Sequence, residues 1–334
     1  MNQEPPQKAT IIGISGPSSS GKTTLARLLQ RIFCGVNLTA NGDVNLNTFI
    51  IHEDDFYFPD DQIPTVTLPS GKQIQDWDTA SAIDIPFLSK ALTYVRENGT
   101  LPPRLRSKED QNDEGESGID DSVVFELRDI VTQALSSSFL EGGIMQTVAF
   151  LEGFLLFSPP DTTNNPQEKS KEHHILRPVH NAINLHLFLP APYELVKARR
   201  EGRSGYVTIG PAPDVSDSTN TVKHETGSGD IDLEGEDDRP PQNFWTDPPG
   251  YVDDIVWPRY VGDHRWLLVA DEGGDGGGSG DELGDLVKRV GDGRRVRRDV
   301  GVEVAPGCGE EGMEVVLRWA VELILGYLAK GKTM

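Results

Sequence analysis

The chain has 334 residues, with 31 Lys and Arg against 53 Asp and Glu, a net charge of −22 and an apolar fraction of 36%. That length suits one large or two modest domains with a substantial core, and the acidic balance argues against nucleic acid as the main partner, which would require a basic face. No apolar run is long enough to cross a bilayer, and Met1 to Pro6 carries neither a signal-peptide nor a transit-peptide pattern, so a cytoplasmic protein, with the nucleus as a second compartment, is expected.

In chain order, β-branched apolar runs alternate with helical patterns, which predicts a parallel sheet covered by helices on both faces. The first strand spans Thr10 to Ser15 and its helix Thr23 to about Phe33. A second strand, Thr48 to His52, runs into Glu53-Asp54-Asp55-Phe56-Tyr57, and a third, Thr147 to Leu151, into Glu152-Gly153-Phe154. Ile183 to Leu189 reads as the fourth, followed by a basic helix from Tyr193 to about Glu201, and Arg265 to Ala270 as the fifth. A final helix from Glu314 to Lys330 carries a broad apolar face that should pack on the sheet.

Three polar, Gly- and Pro-rich stretches break this rhythm: about 101–121, 207–243 and 271–312. Each is expected to be a mobile insertion in a single domain spanning 1–334. Arg294 to Arg298, with acidic neighbours, reads as a solvated charge run. Cys34 and Cys308 lie far apart, make no metal-ligand spacing, and fit a reducing compartment.

The chemistry concentrates where strands end, because ligands of an open parallel sheet bind beyond its carboxyl edge. Gly16-Pro17-Ser18-Ser19-Ser20-Gly21-Lys22-Thr23 spells G-x-x-x-x-G-K-T between strand and helix. Such a loop turns its amides around an oligophosphate, with Lys22 reaching the terminal phosphates and Thr23 able to ligate Mg²⁺, so ATP or GTP is the expected ligand. One of Asp54 and Asp55 is the natural base for an attacking hydroxyl; neighbouring side chains of an extended segment diverge, and the residues alone do not say which. Glu152 is placed to hold Mg²⁺ through water, and Arg199 and Arg203, four apart on one helical face, suit a lid over phosphates.

Together these blocks resemble the nicotinamide riboside kinase family, within the uridine-kinase-like phosphate-loop kinases. The resemblance rests on Ile11 to Gly16 leading into Ser20 to Ala26, on Asp54-Asp55-Phe56-Tyr57, Trp77-Asp78 and Glu152-Gly153-Phe154-Leu155-Leu156-Phe157, and on Asp247-Pro248-Pro249-Gly250-Tyr251 with Val256-Trp257-Pro258. It implies a three-layer α/β/α phosphate-loop fold with a short lid helix, and transfer of the ATP γ-phosphate to the 5′-hydroxyl of nicotinamide riboside, with Mg²⁺, for NAD synthesis. By that resemblance ATP is held by Gly16, Ser18, Ser19, Ser20, Gly21, Lys22, Thr23, Thr24, Arg199 and Arg203, and Mg²⁺ by Thr23, Asp54 and Glu152. Asp54 is the proton acceptor, working with Lys22 and Arg203. The riboside meets Asp54, Asp55, Phe56, Tyr57, Trp77, Asp78, Arg200 and Tyr206, with Asp78 on the ribose hydroxyls and Trp77 and Tyr206 on opposite faces of the base. Asp271-Glu272-Gly273 is placed near the adenine.

The chain departs from the family pattern where 207–243 separates Tyr206 from the Asp-Pro block, and again after Asp271. The alternatives are a uridine or pantothenate kinase, against which Trp77 beside Asp78 argues, and a silent nucleotide-binding regulator, which would need no base. The partner expected is a small metabolite, with neither nucleic acid nor membrane, and the protein a monomer or homodimer.

Overall fold

The computed structural model describes residues 7–39, 44–68, 70–107, 117–139, 147–160, 174–211, 233–234, 243–269 and 283–330. Its centre is a five-stranded sheet built from β1 (Ala9–Ser15), β2 (Asn47–His52), β5 (Thr147–Gly153), β6 (Leu185–Phe188) and β9 (Glu303–Val304), in the order β2-β5-β1-β6-β9. Every pairing is parallel. β1 and β5 are buried along their whole length, which explains their near-continuous apolar sequence: helices cover both faces of a parallel sheet.

On one face α1 (Lys22–Phe33), α3 (Asp121–Phe139) and α8 (Met313–Lys330) enclose a core containing Leu25, Leu29, Phe33, Val131, Phe150, Leu317 and Ile324. On the other, α2 (Ile85–Asn98), α4 (Arg177–Ala182) and α6 (Trp257–His264) pack over Ile11, Ile51, Leu88, Leu92, Leu151 and Val261. α2 shows how locally the chain encodes this: Asp84 caps it by accepting from the Phe87 amide at 2.9 Å, and Pro86 occupies its first turn, where a missing N–H costs nothing. The α/β/α expectation is met by these layers.

Two small antiparallel pairs stand apart from the sheet, β3 (Thr65–Thr67) with β4 (Gln73–Gln75), and β7 (Tyr206–Thr208) with β8 (Asn243–Trp245). A third apolar cluster, with Ile63, Ile74, Trp77, Tyr251 and Ile255, ties this side of the molecule together. A π-helical turn, Val252–Val256, leads into α6, and α5 (Tyr193–Glu201) is the expected basic helix.

Two expectations are corrected. Arg265 to Val269 is not a strand of the sheet: α6 ends at His264, a turn follows, and Leu268 forms only an isolated bridge to Val296. The fifth strand is β9, whose two residues pair Leu187 with Glu303 and Phe188 with Val304. It lies within 271–312, expected to be an insertion, as does α7 (Leu283–Val290). Glycine-rich flanks conceal so short a strand, whereas burial of Val302 and Val304 shows its place in the core. The expectations for 108–116, most of 207–243, 271–282 and Ala270 fall outside the described residues, as does the adenine contact at Asp271-Glu272-Gly273.

Candidate active site

The carboxyl ends of β1, β2 and β5 lie in register, Ser15 beside Gly153 and His52 beside Glu152, so the segments leaving them converge on one edge. An open cleft of about 880 Å³ lies there, lined from the loop and α1 by Ser18, Ser19, Gly21, Lys22, Thr23 and Thr24. Asp54, Tyr57, Trp77, Asp78, Glu152 and Phe154 form its floor and far wall, and Arg200, Arg203, Tyr206 and Trp245 close the side of the lid.

The loop has the backbone a phosphate cradle needs. Gly16 and Gly21 adopt φ of 153° and 97°, and a side chain on Gly16 would run into the Leu189 carbonyl. Helix α1 begins at Gly21 with no side-chain cap, leaving its first amides to an anion at the positive end of the helix. The Lys22 ammonium is buried and donates to the Pro17 carbonyl at 3.0 Å. Burial lowers its pKa, opposed by the charges of Glu152, Asp54 and Glu53. A cradle of amides with a desolvated cation at its end fits a nucleotide triphosphate.

Below the loop three groups form a chain. Thr23 Oγ1 donates to Glu152 Oε1 at 3.0 Å, and the same oxygen lies 2.7 Å from His52 Nδ1. Burial alone would push Glu152 up, but the contacts with His52, Lys22 and Thr23 outweigh it and hold the carboxyl below its usual range. An ionised carboxylate beside a threonine hydroxyl is the donor set a hard divalent cation takes, with water completing its shell. Asp54 opens to the same cleft and behaves oppositely: burial and the charge of Glu152 push it to about 6, against the pull of Lys22 and His52. The pair is thus one poised and one ionised carboxylate.

Of the two aspartates after β2, only Asp54 lines the cleft. Asp55 is buried, and Phe56 packs in the core with its ring 4.9 Å from Phe87. The structure therefore does not bring Asp55 and Phe56 to the expected substrate position; the short 3₁₀ turn Glu53–Phe56 rotates them inward. Gly16 and Ser20 shape the loop without lining the cleft, and Arg199 donates to the Ser19 carbonyl at 3.2 Å, fastening the lid helix to the loop. Lys197, on the same helix, is bound to Asp253 at 2.6 Å.

At the other end of the cleft the arrangement is aromatic and ionic. Trp77 meets Tyr57 edge-on at 5.3 Å and Trp245 at 5.7 Å, while Tyr57 stacks with Phe154 at 6.4 Å. Arg200, buried, grips Asp78 with two bonds of 2.9 and 3.0 Å and Asp247 through Nε at 2.7 Å. Burial opposes the guanidinium charge, yet Asp78, Tyr206 and Asp247 raise its pKa well above the ordinary value. The guanidinium carbons of Arg200 and Arg203 each stand 5.2 Å from the Tyr206 ring centre, within cation–π range.

Reading the residues one by one missed His52, Glu53, Trp245 and the role of Asp247. His52 carried a signal, a polar residue closing a strand directly ahead of an acidic pair, and Trp245 stands two residues before Asp247. Glu53 is fully buried, accepts from the Leu155 amide at 3.0 Å and holds up the β5 end; burial pushes its carboxyl to about 8.

Comparison with known proteins agrees with this geometry. Residues 11–101 match the model of the phosphoribulokinase / uridine kinase family. The nicotinamide riboside kinase of Schizosaccharomyces pombe is 28% identical over 322 residues, covering 96% of this chain and 99% of that protein. The enzyme of that name from Saccharomyces cerevisiae is 26% identical, covering 79% of this chain and 80% of its own, and human nicotinamide riboside kinase 1 is 24% identical, covering 76% of each. The α/β layers and the glycine loop agree with these matches: the chain is similar to the phosphoribulokinase / uridine kinase family over residues 11–101 and to nicotinamide riboside kinases over most of its length.

Proposed function

We propose that the protein transfers the γ-phosphate of ATP to the 5′-hydroxyl of nicotinamide riboside, yielding nicotinamide mononucleotide for NAD synthesis. The observation that carries the reading is the shared cleft: the cradle with Lys22, Thr23 and Glu152 at one end, Asp54 in the middle, and Trp77, Tyr57 and Asp78 at the other. Asp54 accepts the hydroxyl proton, its raised pKa suiting a base that must take up a proton near neutrality. Lys22 and Arg203 stabilise charge on the migrating phosphoryl group. The electron-rich faces of Trp77 and Tyr206 complement a cationic pyridinium, and Asp78, held still by Arg200, receives the ribose hydroxyls.

Thr23, Glu152 and Asp54 would hold Mg²⁺, which when bound neutralises the β- and γ-phosphate oxygens. The whole chain acts as one kinase domain in this reading, as a monomer or homodimer in the cytoplasm or nucleus. No helix among the described residues is long and apolar enough to cross a membrane.

The test is direct. Purified protein is given ATP, Mg²⁺ and, in parallel, nicotinamide riboside, nicotinic acid riboside, uridine and pantothenate, and kcat/KM is compared. The pyridine ribosides are expected to be preferred; a preference for uridine or pantothenate overturns the substrate assignment while leaving the kinase intact.

A further inference from the structure

The β7–β8 hairpin has only three residues in each strand and no further partner strand among the described residues, and a two-stranded ribbon of that size does not hold its shape alone in water. Something else fixes it, and the contacts show what. Asp60, in the loop between Tyr57 and β3, accepts on its carboxylate from three donors of the hairpin region: Thr208 Oγ1 at 2.9 Å, the Gly210 amide at 3.1 Å and Asn243 Nδ2 at 2.8 Å. Its own amide donates back to the Gly210 carbonyl at 2.9 Å. Both strands are thus fastened to one side chain more than 140 residues away in sequence. Closeness within the pair depends on Gly205, at φ 142°, where a side chain would approach the Phe244 ring and the Trp245 carbonyl to 2.5 Å.

What the clamp delivers to the cleft is Trp245, together with Val207 and Thr208. The Trp245 indole stands 5.7 Å from Trp77 at an interplanar angle of 49°, and its Nε1–H donates to Asp247 Oδ1 at 2.9 Å. Asp247 in turn binds Arg200, which binds Asp78. The second tryptophan is therefore both a wall of the aromatic end and an anchor of the ionic network beside it.

We propose that Trp245 is a further substrate-binding residue that walls the base subsite beside Trp77, and that Asp60 is the positioning residue that holds the hairpin carrying it. The inference rests on the assignment of the aromatic end to the substrate base. Because Trp245 contacts Trp77 and donates to Asp247 at the aromatic end of the cleft, it acts on affinity for the base-bearing substrate and not on ATP.

The experiment uses the full chain and two readouts: steady-state kinetics with ATP, and tryptophan-fluorescence titration with nicotinamide riboside alone. Trp245→Ala is expected to raise KM and Kd for the riboside about tenfold, the order for removing one aromatic wall, with KM for ATP within about twofold. Trp245→Phe keeps a ring without the N–H and should recover most of the loss. Asp60→Ala should reproduce the riboside defect, Asp60→Asn part of it, and the double variant Asp60→Ala, Trp245→Ala should bind no more weakly than Trp245→Ala, because both act through one wall. Unchanged riboside affinity in Trp245→Ala, an equal rise in KM for ATP, or multiplying effects in the double variant would each overturn the proposal. If the wild type prefers another nucleoside, the same split read on that substrate still decides the role of the hairpin, so the two failures are separable.

Discussion

The two ends of the cleft are built by different means. The phosphate end grows straight out of the buried sheet: its groups lie on or within a few residues of β1, β2 and β5, and are held by strand register and backbone contacts. The aromatic end, the base end of the proposed function, is assembled from segments scattered along the chain, with Trp77, Arg200, Trp245 and Tyr251 joined by rings, ion pairs and single hydrogen bonds such as Trp77 N to Tyr251 Oη at 3.0 Å. In the proposed function, the contrast separates chemistry from recognition. A rigid sheet edge suits a reaction in which fractions of an ångström decide the rate, whereas a side-chain assembly can change its selectivity without disturbing the fold.

Damage to the sheet-borne end should therefore strike turnover. Asp54→Asn is expected to lower kcat by about 10² or more, with the affinity for ATP nearly unchanged, as for loss of a general base. Asp55→Asn should leave kcat within a few fold, since that residue is turned away from the cleft. A base works only when ionised, so with Asp54 at about 6 the rate should fall as pH drops through that value. Comparable losses in the two variants, or a flat profile between pH 5 and 7, would remove Asp54 from that role.

Damage to the other end should strike binding. Arg200→Lys keeps the charge but cannot reach Asp78 with two parallel bonds while also holding Asp247, because an ammonium lacks the planar fork. The riboside KM should rise by roughly tenfold, with a smaller fall in kcat and a lowered melting temperature from the under-paired carboxylates of buried Asp78 and half-buried Asp247. A variant that lost ATP affinity instead would show that the two ends are not separate in the way their construction implies.

The same contrast governs what could be read from the amino acids. The phosphate end was legible because its chemistry is compressed into contiguous words, Gly16 to Thr23, Asp54 after one strand and Glu152 after another. The base end was legible only where a family block preserved it, as with Trp77-Asp78. Asp60 carries no local signal at all, since one more aspartate in a polar loop becomes a clamp only when a hairpin 148 residues later folds against it. β9 escaped for a related reason: two residues among glycines become a strand only when β6 offers them an edge. α3 has no counterpart in the sequence reading either, although Val124, Leu127, Val131 and Leu135 are buried along it at helical spacing.

The smallest effect expected concerns Glu53, which supports the sheet end from below. Its carboxyl is pushed up to about 8 by burial, from an ordinary 4.5, while the Leu155 and Phe154 amides pull it down. Between those values the folded chain holds a proton that the unfolded chain releases, so this group's contribution to stability is fully present below pH 4.5 and is lost as pH rises toward 8. Glutamine keeps an acceptor for the Leu155 amide and cannot ionise. Glu53→Gln should therefore melt close to the wild type at pH 4.5 and above it by roughly 3 °C or more at pH 8. Glu53→Ala, which leaves the amide without its acceptor, should melt lower than Glu53→Gln throughout. A gap between Glu53→Gln and the wild type that stayed constant with pH would mean that the buried carboxyl is ionised in the fold, and that the sheet-borne end carries one more negative charge beneath the cleft than the geometry supports.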